Sequence, residues 1–134
     1  MESDVLVDSN VYIKVLKHGK DPALLLPGWA GSRNLVICGM VRLEVLRGIT
    51  KPKIYRSISD FMDVMVNVPS DGRLWNEALD LAWKMDRQGN VIPSTDAVIA
   101  ASALRLGAAV MTSDAHFSSI DGLRVIVPPE EWFA

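Results

Sequence analysis

Short apolar runs alternate with helix-length segments along this chain, and this alternation restricts the fold more than any other feature. Apolar runs at residues 5–8, 35–38, 66–68, 109–112 and 124–127 predict strands. Helices are predicted at residues 9–17, 40–47, 51–65, 71–87 and 94–106, and Asp21-Pro22 opens a further helix toward Trp29. The pattern predicts an α/β fold with a central parallel sheet of four to five strands, flanked by helices on both faces.

Capping residues predict where two of these helices begin and end. His18-Gly19 follows the first helix and is expected to stop it. Ser94 is expected to cap the last helix with its hydroxyl, and Gly107 is expected to end that helix.

The length of 134 residues predicts one domain over residues 1–134, because a chain of this size buries a single core. Its 49% apolar and 22% charged residues are typical of a folded globule. Cys38 is the only cysteine, and the start MESDVLVD lacks the pattern of a signal peptide. No apolar run is long enough for a membrane helix. We therefore expect a cytoplasmic protein with no membrane partner.

The charges are distributed unevenly along the chain. Residues 1–56 hold nine Lys and Arg against five Asp and Glu, whereas residues 57–134 hold five against eleven. The first half could face a polyanion, and ordinary surface scatter explains the same asymmetry equally well.

Four acidic residues are placed to meet at one edge of the predicted sheet. Asp8 ends the first strand and Asp114 lies just past a later one, while Glu44 and Asp96 are on helices that follow loops at the same edge. In parallel α/β sheets, ligands bind at the carboxyl ends of the strands near a topological switch point. The sequence thus predicts that four carboxylates converge there.

Each acid also has a purely structural explanation. Asp8 would cap the following helix, Asp114 would serve a turn, and Asp96 would complement a helix dipole. Asp96, however, shares its helical face with Ile99 and Ala103, so its side chain is predicted to point toward the core. Glu44 is also predicted to be partly buried, or else it extends to the surface, and it has no basic residue four positions away on either side.

A cluster of carboxylates would be unfavourable without a cation. Two carboxylates about 4 Å apart repel by on the order of 4 kcal/mol at an effective dielectric constant of 20. Ligation by oxygen atoms alone favours Mg²⁺ or Mn²⁺ over zinc, and no zinc-binding spacing is present. His18 and His116 are isolated histidines, and we expect His116 to be a loop or packing residue, not a ligand.

Four segments carry a family resemblance: LVDSNV at residues 6–11, RLEVLRG at 42–48, PSTDAVIAASALRLGA at 93–108 and VMTSDAHF at 110–117. In this order they resemble the motif regions of the PIN-domain nucleases, in particular the VapC-like toxin ribonucleases. The resemblance runs from residue 5 to residue 127. It implies a single PIN-like domain that is the toxin of a toxin-antitoxin pair.

The resemblance also implies the site and its chemistry. The family's acidic quartet, which is catalytic and holds Mg²⁺ or Mn²⁺, is matched by Asp8, Glu44, Asp96 and Asp114. Asn10 and Thr112 match polar positions that support the site. The implied activity is a metal-dependent endoribonuclease, in which a metal-activated water cleaves RNA phosphodiester bonds.

The partners implied are an RNA substrate, a cognate antitoxin protein and a second copy of the chain in a homodimer. Family antitoxins place their C-terminal segment in the acidic groove. Residues 24–26 and Trp29 would offer an antitoxin surface, or they would pack in the core. Arg33, Arg42, Arg47, Lys51 and Lys53 would contact phosphates, or they would form a solvated face.

Two other functions remain open from the sequence. A PIN fold kept only as a protein-binding module, without nuclease activity, would have the same motifs. A receiver-like phosphoacceptor signalling domain has a similar length and an acidic Mg²⁺ pocket, but it requires adjacent acids after its first strand, where this chain has Asp8-Ser9.

Overall fold

The computed structural model describes residues 4–134, and its strands form one parallel sheet. Residues 1–3, which belong to the predicted domain and to the start expected to lack a signal peptide, lie outside the described range. The strand order is β3-β2-β1-β4-β5. The α/β prediction is confirmed, with five strands: β1 Asp4–Val7, β2 Asn34–Cys38, β3 Val66–Val68, β4 Ala109–Met111 and β5 Val125–Ile126.

Helices connect these strands. Because parallel crossovers are right-handed, the helices between β1 and β3 lie on one face of the sheet, and those that return the chain to β4 lie on the other. Two short 3-10 helices, Ala115–Ser119 and Glu130–Phe133, flank β5. In residues 4–134 the α-helices are α1 Ser9–Lys17, α2 Pro22–Ala30, α3 Gly39–Leu46, α4 Pro52–Asp63, α5 Gly72–Arg87 and α6 Ser94–Leu106.

The topological switch point lies between β1 and β4. These two strands are neighbours, with Leu6 paired to Val110 and Val7 paired to Met111. The backbone N–H of Asp8 donates to the carbonyl of Met111 at 2.9 Å. Residues that follow β1 and residues that follow β4 are therefore held at the same sheet edge, where ligands bind in this fold class.

Helix α6 is buried on all sides because it lies between the sheet and α5. Residues 96–103 are all buried, and alanines among them let the helix approach the strands closely. The hydroxyl of Ser102 donates to the carbonyl of Val98 at 2.8 Å, so this buried polar group has a partner. The tight packing of α6 fixes the position of Asp96 in its first turn.

The predicted capping and stop residues are confirmed with one correction, and α4 ends at Asp63, two residues before its predicted end. Asp21 caps α2 by accepting from the N–H of Ala23, and Gly107 ends α6 with a positive φ of 66°. The prediction that Ser94 caps α6 is wrong. Pro93 occupies the cap position, because its carbonyl already accepts from the N–H of Ala97, and Ser94 is the first helical residue.

None of the helices in residues 4–134 combines the length and the apolar character needed to cross a membrane.

Candidate metal centre

Asp8 lies at the carboxyl end of the central strand and caps α1. Its side chain is buried, with 3% exposure. Oδ1 accepts from the backbone N–H of Ser9 at 2.7 Å, and Oδ2 accepts from the hydroxyl of Thr112 at 2.8 Å. Both carboxylate oxygens are thus held in a fixed orientation.

Thr112 and Asn10 form the support beneath Asp8. While Thr112 donates its one hydroxyl hydrogen to Asp8, its oxygen accepts from Asn10 Nδ2 at 3.2 Å and from the N–H of Asp114 at 2.9 Å. The N–H of Ser113 donates to Asn10 Oδ1 at 3.4 Å. This network ties the loop after β4 to the start of α1, and it contains Asn10 and Thr112, the two residues predicted to support the site.

Glu44 reaches the same edge from α3. The hydroxyl of Ser9 donates to Glu44 Oε1 at 2.9 Å and lies 3.4 Å from Asp8 Oδ1. A hydroxyl has a single hydrogen, so the shorter bond to Glu44 is the one it makes. Arg42 points away and pairs with Asp63 at 2.7 Å. Glu44 is therefore oriented by a neutral hydroxyl and not by a cation.

Asp96 and Asp114 meet around His116. The Nδ1 atom of His116 lies 3.1 Å from Asp96 Oδ2 and 3.0 Å from Asp114 Oδ1. One ligand atom from each of these three residues lies within 4.8 Å of the others. His116 lies in the 3-10 turn after Asp114, and this turn returns its ring to the two carboxylates, a contact that the sequence did not predict.

Electrostatic interactions link all four acids. Burial, together with the nearby charges of Asp96 and Glu44, raises the pKa of Asp8 to about 6, while the hydrogen bonds from Thr112 and Ser9 act in the opposite direction. Burial also raises the pKa of Asp96, and the charges of Asp114 and Glu44 act in the same direction. The structure thus brings together the four acids that the sequence predicted to converge.

The donor set of this cluster fits a divalent cation. Within residues 4–134, no Lys or Arg forms an ion pair with any of the four carboxylates. The hydrogen bond with Asp96, followed by the charge of Asp114, raises the pKa of His116, the one basic side chain in the described part of the chain that contacts these acids. Carboxylate oxygens with one imidazole nitrogen suit Mg²⁺ or Mn²⁺, with the nitrogen favouring Mn²⁺.

Two contributors to the site were not predicted from the sequence. Ser9 was predicted only as the start of a helix, and His116 only as a loop or packing residue. The available signal was their spacing, since Ser9 follows Asp8 directly and His116 follows Asp114 by two residues. Both side chains lie beside an acid at a strand end, where the turn directs them to the same edge.

The α2 surface suggested for an antitoxin is mostly packed instead. Leu26 is buried in the core, and Leu25 and Trp29 are partly buried against it. Leu24 alone among these residues is largely exposed, at 74%. The core-packing alternative is therefore correct for most of this segment.

Comparison with known protein families decides the family. A model of the PIN domain matches residues 5–123, which is most of the chain. This chain belongs to the PIN domain family. The resemblance inferred from the four acidic motifs is confirmed. The alternative of a receiver-like signalling domain is wrong, because the PIN model matches most of the chain. Comparison with curated proteins finds no match to this PIN domain.

Solved structures share the fold of this PIN domain. A chain of VapBC from Salmonella typhimurium, in a DNA-bound crystal structure, is 20% identical with a TM-score of 0.75, covering 95% of this chain and 98% of that chain. A chain of VapBC-1 from nontypeable Haemophilus influenzae is 19% identical with a TM-score of 0.74, and the match covers 98% of this chain and 99% of that chain. A chain of a toxin-antitoxin complex from Klebsiella pneumoniae is 19% identical with a TM-score of 0.69, and the match covers 93% of this chain and 98% of that chain. At these identities the likeness establishes the fold.

Proposed function

We propose that this PIN domain is a single-domain, metal-dependent endoribonuclease that acts as the toxin of a toxin-antitoxin pair. The observation that carries the proposal is the cluster of four carboxylates at the switch point. The pKa values of Asp8 and Asp96 are raised, and no Lys or Arg of residues 4–134 forms an ion pair with the cluster. Such a cluster costs stability unless a cation binds it. Perturbed acids at a strand edge are typical of catalytic sites.

The residues divide into those that would hold the ion and those that orient them. Asp8, Glu44, Asp96 and Asp114 would hold Mg²⁺ or Mn²⁺. When bound, the ion supplies an activated water and offsets negative charge on the phosphodiester. Thr112 orients Asp8, and Ser9 orients Glu44. Because these supporting groups are neutral, they fix the geometry without offsetting the charge that attracts the ion.

An antitoxin partner is supported by the fold likeness and by a groove beside the acids. The solved relatives include a toxin-antitoxin complex. A cavity of about 350 Å³ runs from Glu44 between α1, α3 and α4, and its rim includes two lysines. We propose that an antitoxin segment binds here, and co-purification with the product of an adjacent gene would test this. The groove is lined by Ile13, Leu16, Lys17, Glu44, Val45, Gly48, Ile49, Thr50, Lys51 and Ile54.

RNA cleavage tests the activity. Purified protein is incubated with a fluorophore-quencher RNA of mixed sequence in EDTA, in Mg²⁺ and in Mn²⁺. Cleavage is expected only with metal, and Asp96→Asn should abolish it. Asp80→Asn, a matched change at an exposed aspartate on α5, should leave the rate unchanged. Calorimetry with Mn²⁺ on the same proteins reads out metal binding separately.

The same experiment separates the nuclease from a PIN fold kept for protein binding. Binding of Mn²⁺ without cleavage of any RNA tested would favour the protein-binding module. Cleavage that persists in EDTA or in Asp96→Asn would contradict the assignment of the acids.

A further inference from the structure

A cluster of exposed cations lies on the segment that joins α3 to α4 and on the first turns of α4. Residues 47–59 contain no Asp or Glu, and in residues 4–134 none of their basic side chains forms an ion pair. The four basic residues, all exposed, are Arg47, Lys51, Lys53 and Arg56. Much of the positive charge of residues 1–56 is therefore concentrated on one surface.

Other cations that the sequence offered for phosphate contacts are engaged elsewhere. Arg42 forms an ion pair with Asp63 at 2.7 Å. The guanidinium of Arg33 lies 4.7 Å from the centroid of the Trp29 ring. The structure thus retains three of the five predicted cations for an outside anion, and it adds Arg56.

A shallow cavity of about 400 Å³ lies beside these cations, against the exposed side of α4. Its lining includes the ring of Tyr55, which is 44% exposed, and the guanidinium of Arg56. Both groups are planar and can stack on a nucleobase. The hydroxyl of Thr50 and the carboxylate of Asp60 also line the cavity, and they can hydrogen-bond to the edge of a base.

This cavity is continuous with the groove that begins at Glu44. Ile49 and Thr50 line both of them, and Lys51 lies on the rim of the groove. A chain that occupied both would therefore run from the cluster of acids, past the loop of residues 49–50, to the ring of Tyr55.

We propose that the cavity on α4 is a subsite for one nucleoside of a single-stranded RNA. The base stacks on Tyr55 and Arg56, and the adjoining phosphates contact Lys51 and Lys53. Asp60 is seven residues beyond Lys53 on the same helix, roughly 10 Å along its axis, so its carboxylate lies at the base and away from the phosphates. The inference rests on the proposed nuclease function, because it states where the RNA substrate extends beyond the acids.

The chemistry of this surface favours RNA over a protein segment. Lysine is depleted at protein interfaces, whereas cations that follow a backbone beside an aromatic ring are typical of sites for single-stranded nucleic acids. Stacking on Tyr55 would accept any base, and the phosphate contacts would make the affinity strongly dependent on salt.

Fluorescence anisotropy with a short 5′-fluorescein single-stranded RNA of mixed sequence tests the subsite. The titrations are made in EDTA, so that binding is measured without cleavage. Tyr55→Ala is expected to raise the dissociation constant about tenfold, as for the loss of one stacked base, and Tyr55→Phe is expected to bind like wild type. Circular dichroism melts verify that each variant is folded.

The salt dependence of binding tests the phosphate contacts. The double variant Lys53→Gln with Arg56→Gln should lower the slope of log affinity against log salt by up to about 1.4, the value for two lost phosphate contacts on a single strand. Arg73→Gln with Lys84→Gln is the matched control, because it removes two exposed cations from α5. It should leave the slope unchanged.

Cleavage rates of the same variants separate this inference from the nuclease proposal. Tyr55→Ala should lower kcat/KM about tenfold in Mn²⁺. RNA that binds through Tyr55 but is not cut with any metal would support the subsite and contradict the nuclease. Cleavage and binding that are unchanged in Tyr55→Ala and in the Lys53 and Arg56 double variant would overturn the subsite and leave the nuclease standing. Release of a co-purifying protein by these substitutions, with RNA binding unchanged, would also overturn it.

Discussion

Two aspartates of this protein have the same local role and opposite electrostatic surroundings. Asp8 caps α1 and Asp71 caps α5, each accepting a hydrogen bond from a backbone N–H of its helix. Asp71 also accepts two hydrogen bonds from Arg105, at 2.9 and 3.0 Å, and this contact lowers its pKa to about 2. Burial and two neighbouring carboxylates raise the pKa of Asp8 to about 6.

The different surroundings of Asp8 and Asp71 show that the need for a helix cap does not explain the cluster of acids around Asp8. A helix cap requires one acceptor, and Asp71 shows that this chain can pair a cap with an arginine. At Asp8 the polypeptide instead places Asp96 and Glu44 nearby and provides only neutral hydrogen-bond donors. An arrangement that stability disfavours, at a sheet edge suited to ligands, supports the proposed cation site over a purely capping role for Asp8.

The largest expected effect that separates the two aspartates is on RNA cleavage. Asp8→Asn should lower kcat/KM at least about 100-fold, because it removes charge from the proposed metal centre. Asp71→Asn keeps a capping side chain and leaves all four acids in place, so its rate should stay within about twofold of wild type. Initial rates of cleavage of one RNA substrate in Mn²⁺ measure the effects of both substitutions. Equal losses in the two variants would mean that Asp8 acts only as a cap.

The second prediction concerns stability in EDTA near neutral pH. The rise in the pKa of Asp8 from 3.8 to about 6 corresponds to roughly 3 kcal/mol of destabilisation. Asp8→Asn removes this cost, but it also loses the hydrogen bond from Thr112, which offsets about 1 kcal/mol of the stability gained. Asp8→Asn should therefore raise the free energy of unfolding by about 2 kcal/mol, whereas Asp71→Asn should lower it. Urea denaturation followed by circular dichroism tests this, and a destabilised Asp8→Asn would contradict it.

The pH dependence sharpens the same comparison. In EDTA the cost of ionised Asp8 is fully present above pH 6 and is relieved as the pH falls toward 3.8, because the folded state takes up the proton first. The advantage of Asp8→Asn should shrink by roughly 2 kcal/mol between about pH 7.5 and 4.5. The pKa of Asp71 is lowered, so its contribution is lost only below pH 3.8, and the effect of Asp71→Asn should not change over this range. A pH-independent effect of Asp8→Asn would refute the assigned pKa.

The smallest expected effect comes from His116. Its ring nitrogen lies within 3.1 Å of Asp96 and Asp114, and an imidazole ligand favours Mn²⁺ over Mg²⁺. His116→Ala should weaken Mn²⁺ binding roughly tenfold and Mg²⁺ binding less. Titration calorimetry with both ions measures the ratio, with His18→Ala as the control. An equal loss for both ions would show that His116 only orients the carboxylates.

The fold and the positions of the acids could be predicted from the sequence because they follow from periodicity. Apolar runs gave the strands, and the rule that parallel strands end at one edge placed Asp8 and Asp114 together. The position of Asp96 on an apolar helical face predicted that its side chain points toward the core, and the structure confirms that it is buried. Their roles as metal ligands remain predictions.

The contacts that could not be predicted depend on tertiary geometry. The direction of the Ser9 hydroxyl depends on where α3 lies, and the ring of His116 reaches Asp96 only because residues 115–119 form a 3-10 turn. The pattern of α5 also does not show which of its two apolar faces is covered, since Leu74 and Leu79 are both leucines in the same helix. Packing partners decide these points, and they are distant in sequence.

Thermal melting with Mn²⁺ tests the central claim that the acids form a metal site. Wild type, Asp96→Asn and Asp71→Asn are melted in excess EDTA and again in saturating Mn²⁺. At 100 times the dissociation constant, Mn²⁺ should stabilise wild type and Asp71→Asn by about 2.7 kcal/mol, a shift of several degrees, and should leave Asp96→Asn unchanged. No shift in wild type, or an equal shift in Asp96→Asn, would contradict the claim.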